Sequence, residues 1–327
     1  MTNNSHTGIA DAQISDTANH RLTEMKQQAS FRQPPRKLED LNLIDDFLFQ
    51  EMLTFQDVGE PFARLLLGVF LNRPIRKVTI IPQKTIPGID TGSHGIRLDA
   101  YIEAVTDEPS LPGQEMYDVQ IRPDIYDIEP NKTFEKSSLP KRMRYYNALI
   151  DTRILSTGSD YSSLQNVTIF FILPYDPFDK KRMVYTIQNR CMEDGTIPYE
   201  DGTRKIFFYT KGTEGNPRQE LRDMLKYIED TKSENITSQT IDELNRLVDT
   251  VRHSKEVGIS YMKSWEREKM VRDEGVRIGL EQGLEAFILL CQELSLPRSE
   301  TADRIIEKFG LSAEKAAAYL DRFWPVS

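Results

Sequence analysis

The stretch from Arg97 to Ile150 constrains this chain more than any other. It opens with RLDAYIEAV, continues through MYDVQIRPDIYDIEPN and closes on the basic, tyrosine-bearing SLPKRMRYYNALI. In the first run, strand alternation puts Leu98, Ala100, Ile102 and Ala104 on one face and Arg97, Asp99, Tyr101 and Glu103 on the other. Strand propensity disfavours an acid in such a run. The ordinary reading of Asp99 is a solvated outer face; the functional one is a metal ligand at a strand end. Two carboxylates on neighbouring strands can hold a divalent cation. A helix bearing Lys and Arg beside them can hold a phosphodiester.

Two strings nine residues apart compete for the second acid. They are Tyr117-Asp118-Val119-Gln120-Ile121-Arg122 and Tyr126-Asp127-Ile128-Glu129-Pro130-Asn131. Position four of either can stand beside Asp99. Glu129 is the hard oxygen ligand that suits Mg²⁺, and Pro130 keeps it extended. Gln120 is uncharged but closer in sequence, so its connection closes at lower entropy. In LPKRMRYYNALI, Lys141, Arg144, Tyr145 and Ala148 share one helix face; Arg142, Tyr146 and Leu149 share the adjoining one.

Around this unit the periodicities predict alternating helices and strands, an α/β chain. Residues 1–37 are a polar arm stopped by Pro34-Pro35. Helices are expected over LNLIDDFLFQEMLTF and from Pro61 to Phe70, and a strand over residues 75–86 with an edge or kink at Pro82. NVTIFFIL reads as a strand buried on both faces, followed by strands at RMVYTIQNRC and KIFFYT and a helix from Arg218 to Glu229. Residues 236–327 form a charged helical extension whose last part, 286–323, reads as three short helices capped at Ser299 and Ser312. Gly275, Gly279 and Gly283 fall on one helix face, each at a cost of roughly 1 kcal/mol against Ala. Close approach of a second helix, and so self-association, would offset that cost; a frayed charged helix is the alternative.

The net charge of −9 argues against a broadly basic nucleic-acid coat but leaves room for a local basic groove. Cys191 and Cys291 make no ligand spacing and read as reduced thiols. The opening MTNNSHTGIADAQISD has neither a basic start nor an apolar run, and no stretch approaches the ~20 apolar residues of a membrane span. A cytoplasmic protein without a membrane partner is the expectation.

The run NLIDDFLFQEML, then GIRLDAYIE, YDIEPN, LPKRMRYYNALID, LPYDPF, MVYTIQNRC, EDGTRKIFFYTKGT and the glycine-spaced charged tail resemble the Rpn family. These are recombination-promoting nucleases, also labelled transposases, in the PD-(D/E)XK nuclease superfamily. The resemblance spans roughly residues 38–323. It implies a restriction-endonuclease-like mixed sheet flanked by helices, with core order αβββαβ, in a nuclease domain over residues 38–235. It also implies Mg²⁺-dependent hydrolysis of DNA, with Mn²⁺ as a substitute metal. The family's strand acid falls on Asp99 and its next acid on Glu129. Its glutamine position falls on Asn131, a departure that leaves the work of the superfamily's usual lysine to Lys132 or Lys141. Lys141, Arg144 and Tyr145 become the substrate side, and an acid of the first core helix, Asp46 or Glu51, joins the metal set. If YDVQIR were the third strand instead, Gln120 would replace the acid and the chain would be a non-cleaving relative that binds nucleic acid or protein.

Overall fold

The apolar run Val167–Leu173 is buried at every residue and forms the middle of a six-stranded sheet, as its lack of alternation predicts. The computed structural model describes residues 36–88, 92–106 and 123–324. In chain order these carry α1 (Asp46–Thr54), α2 (Gly59–Leu71), β1 (Ile75–Ile86), β2 (Ile96–Thr106), β3 (Asp124–Pro130), α3 (Leu139–Ile154), β4 (Val167–Leu173), β5 (Val184–Ile187), β6 (Thr203–Tyr209), α4 (Gln219–Glu229), α5 (Gln239–Arg252), α6 (Lys255–Glu293), α7 (Arg298–Phe309) and α8 (Ala313–Phe323). The polar arm, but for its last residues, and the string Tyr117–Arg122 lie outside the described residues.

The strand order is β1-β2-β3-β4-β6-β5. The first three strands pair antiparallel, β3 with β4 and β4 with β6 parallel, and β5 closes the far edge antiparallel to β6. Pro82 sits on edge strand β1, where a missing amide is tolerated. Its neighbour Gln83 has φ 50°, so the strand is kinked there. The parallel β3–β4 step requires a crossover, and α3 supplies it.

Two apolar layers cover the sheet. Residues of α1, α2, α4 and α5 pack with Ala100, Ile102, Tyr126, Ile128, Phe170 and Phe208 on one face. On the other, Leu139, Met143, Tyr146 and Ile150 of α3 pack with Ile125, Ile169 and Phe171. The layers leave α3 directly over the strand face that carries Asp127 and Glu129, since these alternate with Tyr126 and Ile128.

The described residues fall into two compact units that part after Tyr261, within α6. The physical reason lies in α5: Ile241, Leu244, Val248 and Val251 are buried in the sheet's own core. The second unit has a separate small core of Leu284, Ile288, Ile305, Ala316 and Leu320. There the expected three short helices are two, because α6 continues to Glu293. Ser312 caps α8 by accepting from the Lys315 amide, as expected. Ser299 caps nothing: the N-cap position of α7 is Pro297, which places Ser299 inside the helix. Among the described residues, no helix is long and apolar enough to cross a membrane.

Candidate active site

The alternation of β2 changes phase at Asp99. Ile96 and Leu98 are buried with α3, whereas Ala100, Ile102 and Ala104 are buried on the opposite face. Leu98 therefore does not share a face with Ala100, contrary to simple alternation. The hydrogen bonds give the cause. Regular pairing of β2 with β3 runs from Ala104↔Asp124 to Tyr101↔Asp127 and stops. The Asp99 amide turns instead to the Glu129 side chain, donating to Oε1 at 2.8 Å. The Asp99 carbonyl accepts from Gln50 Nε2 of α1 at 3.3 Å. On the other side, the kinked Gln83 falls at the same level of β1, between Pro82↔Ala100 and Lys84↔Leu98. The local opening frees Asp99 from the pleat just where Glu129 reaches it.

Glu129 is 2 % exposed and Asp127 is fully buried. Both lie under α3, next to Phe171 and Ile169 in the parallel register with β4. The second oxygen of Glu129 meets Arg142 Nη2 of α3 at 3.3 Å. Arg142 also reaches Glu135 at 3.5 Å and donates from Nε to the Tyr146 hydroxyl at 2.9 Å. Its guanidinium stands over the rings of Tyr146 and Phe171, the stacking that suits a planar cation.

Neither carboxylate oxygen of Asp127 has a hydrogen-bond partner of good geometry, although the Ala100 amide and the Glu129 carboxyl stand close by. A buried carboxylate in that state is costly. Burial, then the Glu129 and Asp99 charges, push the Asp127 carboxyl well above the usual range. Burial, then the Asp99 charge, raise Glu129 to about 8. Burial, then the Asp46 charge, raise Asp99 to about 6. Desolvation dominates each shift, because three acids are removed from water around one guanidinium.

The remaining expected residues divide. Asp46, the first residue of α1, lies near enough to Asp99 to act on its charge. Glu51 is turned to α6, accepting from Ser260 Oγ at 2.8 Å. Asn131 is buried at the end of β3, its amide bonded to the Ile172 carbonyl and its Oδ1 accepting from the Thr133 amide at 2.8 Å. Lys132 does not join the acids; its ammonium pairs with Asp45, the N-cap residue of α1. Lys141 and Arg144 are exposed. The Tyr145 hydroxyl donates to the His94 carbonyl, tying α3 to the loop before β2. The face of α3 that meets the carboxylates is thus the one with Arg142 and Tyr146, not the one with Lys141, Arg144 and Tyr145. Asp127 and Arg142 are the members that sequence reasoning missed. Alternation places Asp127 beside Glu129, and the Leu139, Met143, Tyr146, Ile150 spacing places Arg142 at the edge of the buried face; both signals were available.

The donor chemistry fits a hard divalent cation. Once ionised, the three acids would carry more negative charge than Arg142 offsets, and Asp127 has two oxygens without a hydrogen-bond partner of good geometry. Among the described residues, no group of three or more His, Cys, Asp or Glu side chains is arranged to hold a metal ion. Mg²⁺ in phosphate chemistry takes one or two carboxylates with waters and substrate oxygens rather than an all-protein cage, and Asp99 and Glu129 are the two residues here that could serve it so. A cleft of about 300 Å³ lined by Arg73, Asp124, Tyr126, Asn166 and Tyr199 lies at the opposite end of β3; the acids do not line it. Comparison with known proteins finds no family model, no curated protein and no solved structure that matches this chain.

Proposed function

We propose that this chain is a Mg²⁺-dependent nuclease acting on DNA, of the Rpn type, with a restriction-endonuclease-like core. The observation that carries the reading is the meeting of Asp99 and Glu129 at one level of adjoining strands, through the 2.8 Å bond from the Asp99 amide to Glu129. Asp99 and Glu129 would hold the cation, with Asp46 at its outer side. A bound Mg²⁺ supplies an acidified water and neutralises charge on the scissile phosphate. Asn131, two residues beyond Glu129 and on its strand face, orients water or phosphate through its amide. Arg142, rather than Lys132, is the cation that faces the reacting phosphate, since Lys132 is engaged by Asp45. Arg144 and Lys141, exposed on α3, meet the flanking backbone.

The test is cleavage of supercoiled plasmid by the full-length protein. Wild type nicks it in Mg²⁺ and not in EDTA, and Asp99→Ala does not nick it. Equal nicking by both proteins overturns the reading.

A second reading is a binding module that has kept this fold without cleavage. The pairing of Arg142 with Glu129 favours it, because both oxygens of Glu129 already have partners. Metal binding separates the two: a binding module shows no difference between wild type and Glu129→Gln in Mn²⁺ affinity. Self-association through the C-terminal helices is a further part of the proposal. Met270, Val271, Val276 and Ile278 of α6 are exposed, and the open space beside Gly275 and Gly279 accommodates a second helix.

A further inference from the structure

Arg142 is placed where a metal ligand's partner should be, yet its contacts there are loose. A charge-assisted guanidinium–carboxylate bond is ordinarily about 2.7–2.9 Å long. Arg142 instead divides itself between Glu129 at 3.3 Å and Glu135 at 3.5 Å. Its firm contacts are the 2.9 Å bond to Tyr146 and the two ring faces beneath it. These fix the plane of the guanidinium without using the edge that faces the acids. That side chain is 30 % exposed whereas Glu129 is 2 % exposed, so an anion arriving from solvent meets Arg142 before anything reaches Glu129.

We propose that Arg142 is a phosphate-operated latch on Glu129. In the ligand-free protein the guanidinium occupies the Glu129 oxygen that a cation would use. A phosphodiester, whose two non-bridging oxygens can take the same edge in bidentate fashion, draws Arg142 off and leaves the Glu129 oxygen to the metal. Metal and nucleic acid then bind with positive coupling, and by linkage each tightens the other by the same factor. Without substrate the site binds metal only weakly. This inference rests on the nuclease reading, and it adds the order in which that site is assembled. Glu135, the second and more exposed anchor, sets the tension of the latch: it competes with Glu129 for Arg142.

The experiment is a Mn²⁺ titration of the full-length protein, read by the electron paramagnetic resonance signal of free Mn²⁺, with and without a short phosphorothioate DNA duplex. For wild type the duplex tightens Mn²⁺ binding by roughly 5- to 150-fold, the usual range of coupling between sites. Arg142→Gln binds Mn²⁺ more tightly than wild type without duplex, and the duplex adds little. Glu135→Gln, at a half-buried position outside the sheet's core, weakens Mn²⁺ binding without duplex and enlarges the coupling. If Arg142→Gln leaves duplex-free affinity unchanged or lower, or if wild type and Arg142→Gln show the same coupling, there is no latch. Failure of the nuclease reading looks different: wild type then binds no Mn²⁺ that Asp99→Ala or Glu129→Gln abolishes, and the latch falls with it.

Discussion

The backbone amide of Asp99 donates to Oε1 of Glu129 at 2.8 Å, across a point where the β2–β3 ladder has ended. A main-chain donor of one acid is therefore held by the side chain of the other. The arrangement ties the strand register to the site: a one-residue slip of β3 would turn Glu129 to the opposite face and put Pro130 or Ile128 under α3.

The first consequence is a pH dependence of stability. Asp99, Asp127 and Glu129 all take protons more readily in the folded chain than the ordinary carboxylate does, chiefly through burial. Between about pH 4 and pH 8 the folded state then holds more protons than the unfolded one, so the contribution of these groups to stability falls as pH rises through that window. In EDTA, Asp127→Asn melts at the same temperature as wild type near pH 4 and several degrees higher near pH 8. Mg²⁺ raises the wild-type melting temperature most at the alkaline end, where the acids are ionised and ready for it. Calorimetric melts across the window check this. A variant melting below wild type at pH 8 would mean that the Asp127 carboxylate has a partner the structure does not contain.

Lys132 is the residue for which the structure and the sequence reading part most clearly. Its side chain is 45 % exposed and paired with Asp45, a surface pair worth about 0–1 kcal/mol. Lys132→Ala therefore keeps cleavage within about tenfold of wild type and stability within about 1 kcal/mol. Asn131→Ala, which removes a buried side chain hydrogen-bonded at 2.8 Å to the Thr133 amide, costs more on both counts. Steady-state nicking rates and denaturant melts of the two variants decide the ranking.

Much of this architecture was legible before the structure. The β-branched run at 75–86 is a strand over just those residues, and the uninterrupted apolar run at 167–173 is the sheet's centre. Such segments carry their own signal in residue type and period. Of the candidate site, the strand acids are visible in the sequence and their surroundings are not. The phase change at Leu98 depends on a bond to a side chain 30 residues away, which no local pattern records. Asp127 shares its strand face with Glu129 by alternation, but nothing in YDIEPN marks it as buried and without partners. The helix spacing gives α3 two basic faces, and only its docking on Phe171 and Ile169 selects the one with Arg142. The helix after residue 235 shows the same limit: α5 looks charged in sequence, yet its Ile241, Leu244, Val248 and Val251 stripe is core.

Self-association predicts a specific mutational effect. Ile278 and Val276 are 42 % and 56 % exposed on α6, so a charge there disturbs nothing within one chain. Ile278→Lys leaves stability within about 0.5 kcal/mol of wild type, as surface changes do, and shifts any self-associated species toward monomer in sedimentation. A wild-type chain that already sediments as a monomer at tens of micromolar contradicts this part of the account.

The most direct measurement is nicking of supercoiled plasmid in Mg²⁺ by wild type, Asp99→Asn and Glu129→Gln side by side. Both substitutions keep shape and remove one negative charge. The account predicts that each lowers the rate by roughly 100- to 1,000-fold, the usual loss on deleting one electrostatic contributor at a reacting centre. It is contradicted if Glu129→Gln cleaves as wild type does, for then the buried acid beside Asp99 has no part in the chemistry.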